Sequence, residues 1–148
     1  MKAFVLVGAP GAGKSTLARK LAKECDAIII CGDQIRQELY GDMQIQGNWT
    51  EIHDRIVEQL EENINRNVIL DGTHYSSSYR VGALLTLKTY GWNDITACVV
   101  HPTLEKCLIQ NSLRSRVTPR NVITSMWTKL QNSLSKLPHE GFSEIVHY

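Results

Sequence analysis

Gly8-Ala9-Pro10-Gly11-Ala12-Gly13-Lys14-Ser15 carries the strongest structural signal in this chain. Three glycines and a proline between Gly8 and Gly13 predict a loop. In front of it, Lys2 to Val7 is a short apolar run of β-forming residues, which predicts a buried strand. Behind it, Lys14 to Glu24 has helical spacing, with Leu17, Ala18, Leu21 and Ala22 on one face. Strand, loop and helix in that order match the pattern GxxxxGK[ST], and chemistry explains the pattern. Phosphate oxygens need several donors converging at close range. Glycines let the backbone curl and present its amides, and the helix directs its positive end at the anion. Lys14 then reaches the β- and γ-phosphates and the Ser15 hydroxyl meets Mg²⁺. By chance the pattern arises in roughly one chain of this length in two hundred, and more rarely still between a strand and a helix. The predicted nucleotide contacts run through Gly8, Ala9, Pro10, Gly11, Ala12, Gly13, Lys14, Ser15 and Thr16.

Outward from the loop, apolar strands alternate with helices. Strands are expected at Ala27 to Cys31, Val68 to Leu70, Ile95 to Val100 and Glu144 to His147. Helices are expected at Asp33 to Tyr40, from a Thr50 cap onward, and at Ser76 to Tyr90, Leu104 to Leu113 and Asn121 to Leu137. Strands with no polar face imply a parallel sheet covered on both sides, an α/β architecture. No internal repeat or second domain is legible, so residues 1–148 are expected to form one domain.

Three further segments carry chemistry. Val68-Ile69-Leu70-Asp71 is an apolar strand ending in a carboxylate, a position suited to assisting Mg²⁺ or to capping a turn. The second strand runs into Cys31-Gly32-Asp33-Gln34-Ile35-Arg36. Open parallel sheets bind ligands at the carboxyl ends of their strands, so Asp33 is placed to take a proton from an acceptor hydroxyl. It is placed equally well to cap the helix that follows. Arg36, three residues on, shares its helical face and suits an acceptor or a phosphate. Arg114-Ser115-Arg116-Val117-Thr118-Pro119-Arg120 packs three arginines between two helices. Such a segment either closes over a nucleotide or is a solvated basic loop.

Five segments, in order, resemble the kinase domain of polynucleotide 5′-hydroxyl kinases and their small P-loop relatives, the zeta-toxin-like kinases among them. They are GAPGAGKST at 8–16, CGDQIRQELYG at 31–41, VILDGTHY at 68–75, HPTLEKCLIQNSLR at 101–114 and TPRNVITSMW at 118–127. The resemblance implies a P-loop NTPase three-layer sandwich, with a parallel central sheet flanked by helices and an arginine-bearing lid. It implies Lys14 and Ser15 on phosphate and metal. It makes Asp33 the general base, Arg36 a contact to the acceptor-side phosphate, and Arg114 the lid arginine with Arg116 beside it. His74 departs from the asparagine common in the family, and either contacts the acceptor or orients the turn. From the resemblance the chain is expected to end where the kinase domain of such proteins ends, and to lack the phosphatase domain of the bifunctional members.

The expected reaction is phosphoryl transfer from ATP, or another nucleoside triphosphate, to a hydroxyl with Mg²⁺. The 5′ end of DNA or RNA is the leading acceptor. Formal net charge is +1, with 16 basic and 15 acidic side chains, so no global field draws the chain to nucleic acid or membrane. That balance keeps a small molecule or a protein open as acceptor. A nucleotide-dependent switch or regulatory ATPase remains the alternative of another class. Cys25, Cys31, Cys98 and Cys107 lack CxxC spacing and read as reduced thiols, with Cys98 a small core residue. No stretch approaches the roughly 20 apolar residues of a membrane span, and a cytoplasmic location is expected. The five histidines lack metal-ligand spacing.

Overall fold

The structure is a computed structural model that describes residues 1–115 and 117–148. Among the described residues there are five strands: β1 (Lys2–Val7), β2 (Ala27–Cys31), β3 (Asn67–Asp71), β4 (Asp94–Val99) and β5 (Glu144–His147). They form one sheet in the order β2-β3-β1-β4-β5, every neighbouring pair parallel. The register aligns Ala3 with Val68 and Ile95, and Val5 with Leu70 and Ala97. Because side chains alternate along a strand, β1 feeds both faces at once. Phe4 and Leu6 pack with Ile69 and Cys98 against Leu17, Ala18 and Leu21 of α1 (Lys14–Cys25). Ala3 and Val5 pack with Val68, Leu70 and Ile95 on the opposite face. Covering that face are Ile35 of α2 (Gly32–Tyr40), Ile52 and Leu60 of α3 (Trp49–Glu62), and Leu84 and Leu87 of α4 (Ser77–Thr89). The arrangement is helix, sheet, helix, with β1 at its centre and the loop after β1 at the mid-point of the carboxyl edge.

Local chemistry sets the helix ends. Asn48, not Thr50, caps α3: its side chain accepts the Thr50 amide at 2.8 Å. Ser76 and Thr103 cap α4 and α5 (Leu104–Ser112) in the same way. The single helix expected from Asn121 to Leu137 is two elements, α6 (Arg120–Ser133) and a 3₁₀ helix from Leu134 to His139. Pro138 lies in the second element; it has no amide to donate and its ring would strike the preceding turn of an α-helix. Cys98 is fully buried, as its apolar surroundings predict, and all four cysteines are free thiols.

Arg80 is fully buried, on the same face of α4 as Leu84 and Leu87. Its Nε and Nη2 donate to Glu140 at 2.7 and 3.0 Å. The remaining bonds go to the His74 carbonyl and to Ser133. One guanidinium therefore ties α4, the turn after β3 and the end of α6 together. Arg80→Ala should destabilise the protein by about 3–5 kcal/mol, because it leaves the Glu140 carboxylate buried and uncompensated. Thermal melting should show this as a drop of roughly 10 °C.

Candidate active site

The phosphate loop joins β1 to α1 across the middle of the sheet. Gly11 has φ 82° and Gly13 φ 105°, the left-handed region. A Cβ on Gly11 would also collide with the Cys107 carbonyl of α5, so this turn requires glycine twice over. Gly13 is the N-cap of α1 and offers no side chain, and the first turn of α1 holds no acidic residue. The first amides of α1 thus have no side-chain cap, and the positive end of the helix points out of the loop. Lys14 is half-buried and lays its ammonium back across the loop, donating to the Ala9 carbonyl at 2.9 Å. Ser15 and Thr16 are exposed; Thr16 Oγ1 accepts from Arg19 at 3.4 Å.

The other predicted residues converge from three directions. Asp71 ends β3 beside β1, and Cys31 is its register partner at the end of β2. Asp33 lies in the first turn of α2, whose N-cap is Cys31 with no side-chain capping bond, so Asp33 is not the cap of that helix. Arg36 Nη1 meets Asp33 Oδ1 at 3.3 Å, and the Arg36 side chain is only 17% exposed. Its Nε is buried with no partner among the described residues. Arg114 is half-buried in the loop between α5 and α6. Arg116 lies outside the described residues.

Electrostatics shows how closely these groups share one space. Burial pushes the Lys14 ammonium down to about 8, and the Arg114 charge pushes it the same way. Asp71, Asp33 and Cys107 oppose that shift. Asp71 is raised above the usual carboxylate range, first by burial and then by Asp33, against the pull of Lys14, the Cys31 thiol and Arg114. Lys14, Asp33, Asp71 and Arg114 are therefore near enough for their charges to act on one another. An electropositive loop faces two carboxylates, one of them held reluctantly ionised.

His74 is resolved by its bonds. It sits at φ 45°, and its Nδ1 lies 2.7 Å from the Leu6 carbonyl, to which it must donate. Burial lowers its pKa, so the ring is neutral. The Gly8 amide donates to the Thr73 carbonyl at 2.9 Å, a second strut between the same two segments. Through this bond His74 holds the end of β3 against the entry to the phosphate loop. Asn111, which no motif singles out, is 2% exposed against Gly11. A polar residue inside a helical apolar stripe is the only signal it offers in the sequence. Of the three tryptophans, Trp92 is core, Trp127 half-buried and stacked on His101, and Trp49 57% exposed.

A five-stranded parallel sheet with this loop after its central strand defines the class of the small P-loop kinases. The chain belongs to the AAA_33 family, described as an AAA domain, whose model matches residues 4–137. It is 36% identical over 80 residues to a probable adenylyl-sulfate kinase of Pyrococcus abyssi, a match covering 51% of this chain and 46% of that protein. The chain thus spans about half the length of the curated relatives it matches. Among solved structures, one of the Pnkp1/Rnl/Hen1 RNA repair complex matches with a TM-score of 0.75 and 25% identity. It covers 91% of this chain and 45% of that one. A gluconokinase from Sinorhizobium meliloti shares the fold, with a TM-score of 0.63 at 18% identity, covering 99% of this chain and 82% of that one. No helix among the described residues is long and apolar enough to cross a membrane.

Proposed function

We propose that residues 1–148 form one kinase unit that transfers the γ-phosphoryl group of ATP to a hydroxyl acceptor, the 5′-hydroxyl of a polynucleotide. The observation that carries this reading is the grouping of Asp33 and Arg36 with the phosphate loop at the carboxyl edge of the sheet. A hydrolase needs to position only water. Here a carboxylate and a nearly buried guanidinium stand at the end of β2, close enough for the carboxylate to act on Lys14 of the phosphate loop. In this reading the loop amides and Lys14 bind the β- and γ-phosphates, with Thr16 closing the loop and Arg114 and Arg116 approaching from the lid. Arg36 holds the acceptor's phosphate. Asp33 accepts the proton of the attacking hydroxyl as the oxygen closes on phosphorus in line with the leaving ADP.

Magnesium fits the donor set. It takes one or two protein oxygens and fills its remaining positions with phosphate and water. Ser15 offers an exposed hydroxyl, and Asp71 is a half-buried carboxylate raised in part by the charge of Asp33, which a cation would relieve. When bound, Mg²⁺ supplies charge neutralisation to the phosphates.

The polynucleotide acceptor is supported by the likeness to the RNA repair structure over nine-tenths of the chain and by the five ordered segments. A small-molecule acceptor is the second reading, favoured by the adenylyl-sulfate kinase relatives and by the balanced charge. Transfer from γ-labelled ATP to short 5′-hydroxyl DNA and RNA decides between them. Labelled oligonucleotide is expected. Absence of label with ATP binding intact would remove the polynucleotide acceptor and move the search to adenylyl sulfate and sugars. Rapid ATP hydrolysis without any acceptor would instead favour a switch or regulatory ATPase.

The Lys14 shift sets a pH dependence. In the free enzyme the ammonium loses its proton above about pH 8, and with it the attraction for triphosphate. kcat/KM for ATP should therefore fall as pH rises through about 8. Bound phosphate stabilises the charged form, so the alkaline limb of kcat should lie at higher pH than that of kcat/KM. Coincident limbs would separate Lys14 from the phosphates.

A further inference from the structure

Asn111 stands in the last turn of α5. Asparagine is a poor helix former, and burying its amide is costly unless both ends are paired. Both ends are paired here, and with one residue. Nδ2 donates to the Thr118 carbonyl at 2.8 Å, and Oδ1 accepts the Thr118 amide at 3.0 Å. A side-chain amide carries the same donor and acceptor as a peptide group, so it makes the two-bond pairing of a strand partner. The main chain adds another tie, since the Arg114 amide donates to the Asn111 carbonyl at 3.1 Å. Arg114, in the connection between α5 and α6, therefore lies between two points that this one residue ties, its own amide and Thr118. Asn111 is set against the phosphate loop: a Cβ on Gly11 would meet the Asn111 Cβ and amide nitrogen at 3.2 Å each. From the connection between α2 and α3, Gln44 Nε2 donates to the Val117 carbonyl at 3.3 Å.

We infer that Asn111 is a positioning residue, which registers the Arg114 loop to the phosphate loop so that the guanidinium meets the γ-phosphate. Asn111 touches no substrate; it acts through Arg114. The inference rests on reading Arg114 as a phosphate contact, and not on the identity of the acceptor.

The test is nucleotide discrimination, which needs no acceptor. Kd values for mant-ATP and mant-ADP with Mg²⁺ would be measured on the full chain, together with Tm. The proteins are wild type, Asn111→Asp, Asn111→Leu, Arg114→Ala and the doubles with Arg114→Ala. The aspartate keeps the acceptor but sets a carboxylate against the Thr118 carbonyl, and the leucine removes both bonds at similar size. Arg114→Ala should cut the preference for ATP over ADP by ~10-fold, the value of one charged hydrogen bond. Each Asn111 variant should cut it about as much while leaving ADP affinity unchanged. Adding either to Arg114→Ala should cost nothing further, because the group it positions is gone. Folded Asn111 variants with wild-type preference, or losses that multiply in the doubles, would overturn the proposal. So would loss of a cooperative melt in both variants, which would make Asn111 a stability residue. If Arg114→Ala itself leaves the preference unchanged, the phosphate role of Arg114 fails and this inference with it. A negative oligonucleotide assay alone would leave the inference standing.

Discussion

Replacing Asp33 with asparagine is expected to leave ATP binding intact and to lower kcat for transfer by ~10²- to 10⁴-fold, the span of a general base. The substitution keeps size and hydrogen bonding, and removes the charge and the ability to hold a proton. Asp33 does not cap α2, since Cys31 holds that position. Its contact to Arg36 at 3.3 Å is retained in kind by an amide oxygen. Circular dichroism should therefore be unchanged. The same variant tests the electrostatics independently. The Asp33 charge supports the Lys14 ammonium, so its removal should move the alkaline limb of kcat/KM below about pH 8. An activity loss accompanied by lost helicity would assign Asp33 to the helix rather than to the reaction.

Lys14→Ala should lower the transfer rate by ~10²- to 10³-fold, by analogy with losing one donor to transition-state charge. In the present arrangement the ammonium spends its hydrogen bond on the Ala9 carbonyl, within its own loop. It must exchange that partner for phosphate, and the exchange is favourable because burial has made the ammonium poorly solvated. ATP affinity should fall as well, with the loop amides keeping part of it. The fold should survive, since the turn is made by Gly11 and Gly13 rather than by the lysine. Turnover near that of wild type, measured with γ-labelled ATP, would remove Lys14 from the phosphates.

Both variants probe residues whose proposed roles come from the amino-acid sequence. The loop, the strand ahead of it and the helix behind it follow from local rules: glycines where φ is positive, apolar continuity where a strand is buried, and 3.6-residue spacing where a helix has one wet face. Those rules act within a few residues, so residue order is enough to specify the five strands, most helix positions and the parallel class of the sheet. Among the described residues, those proposed for phosphate, metal and acceptor lie at the carboxyl edge or between α5 and α6 for the same reason. Strand ends are readable, and an open parallel sheet puts its ligands there.

Local rules fail where the deciding partner is distant in sequence. Periodicity puts Arg80 on the apolar stripe of α4, but Glu140 lies 60 residues away and nothing local announces the pair. The break in the last helix turns on whether packing tolerates an α-turn at Pro138. The orientation of His74 toward Leu6, 68 residues back, appears only once β3 pairs with β1. Asn111 becomes a clamp only when α5 rests on Gly11. Residue order therefore specifies the class of fold and the chemistry carried at its strand ends, and packing specifies how buried polar groups choose their partners. A hydrogen bond sealed from water depends on which segments the assembled sheet and helices bring into contact, and separation along the chain carries no information about that distance.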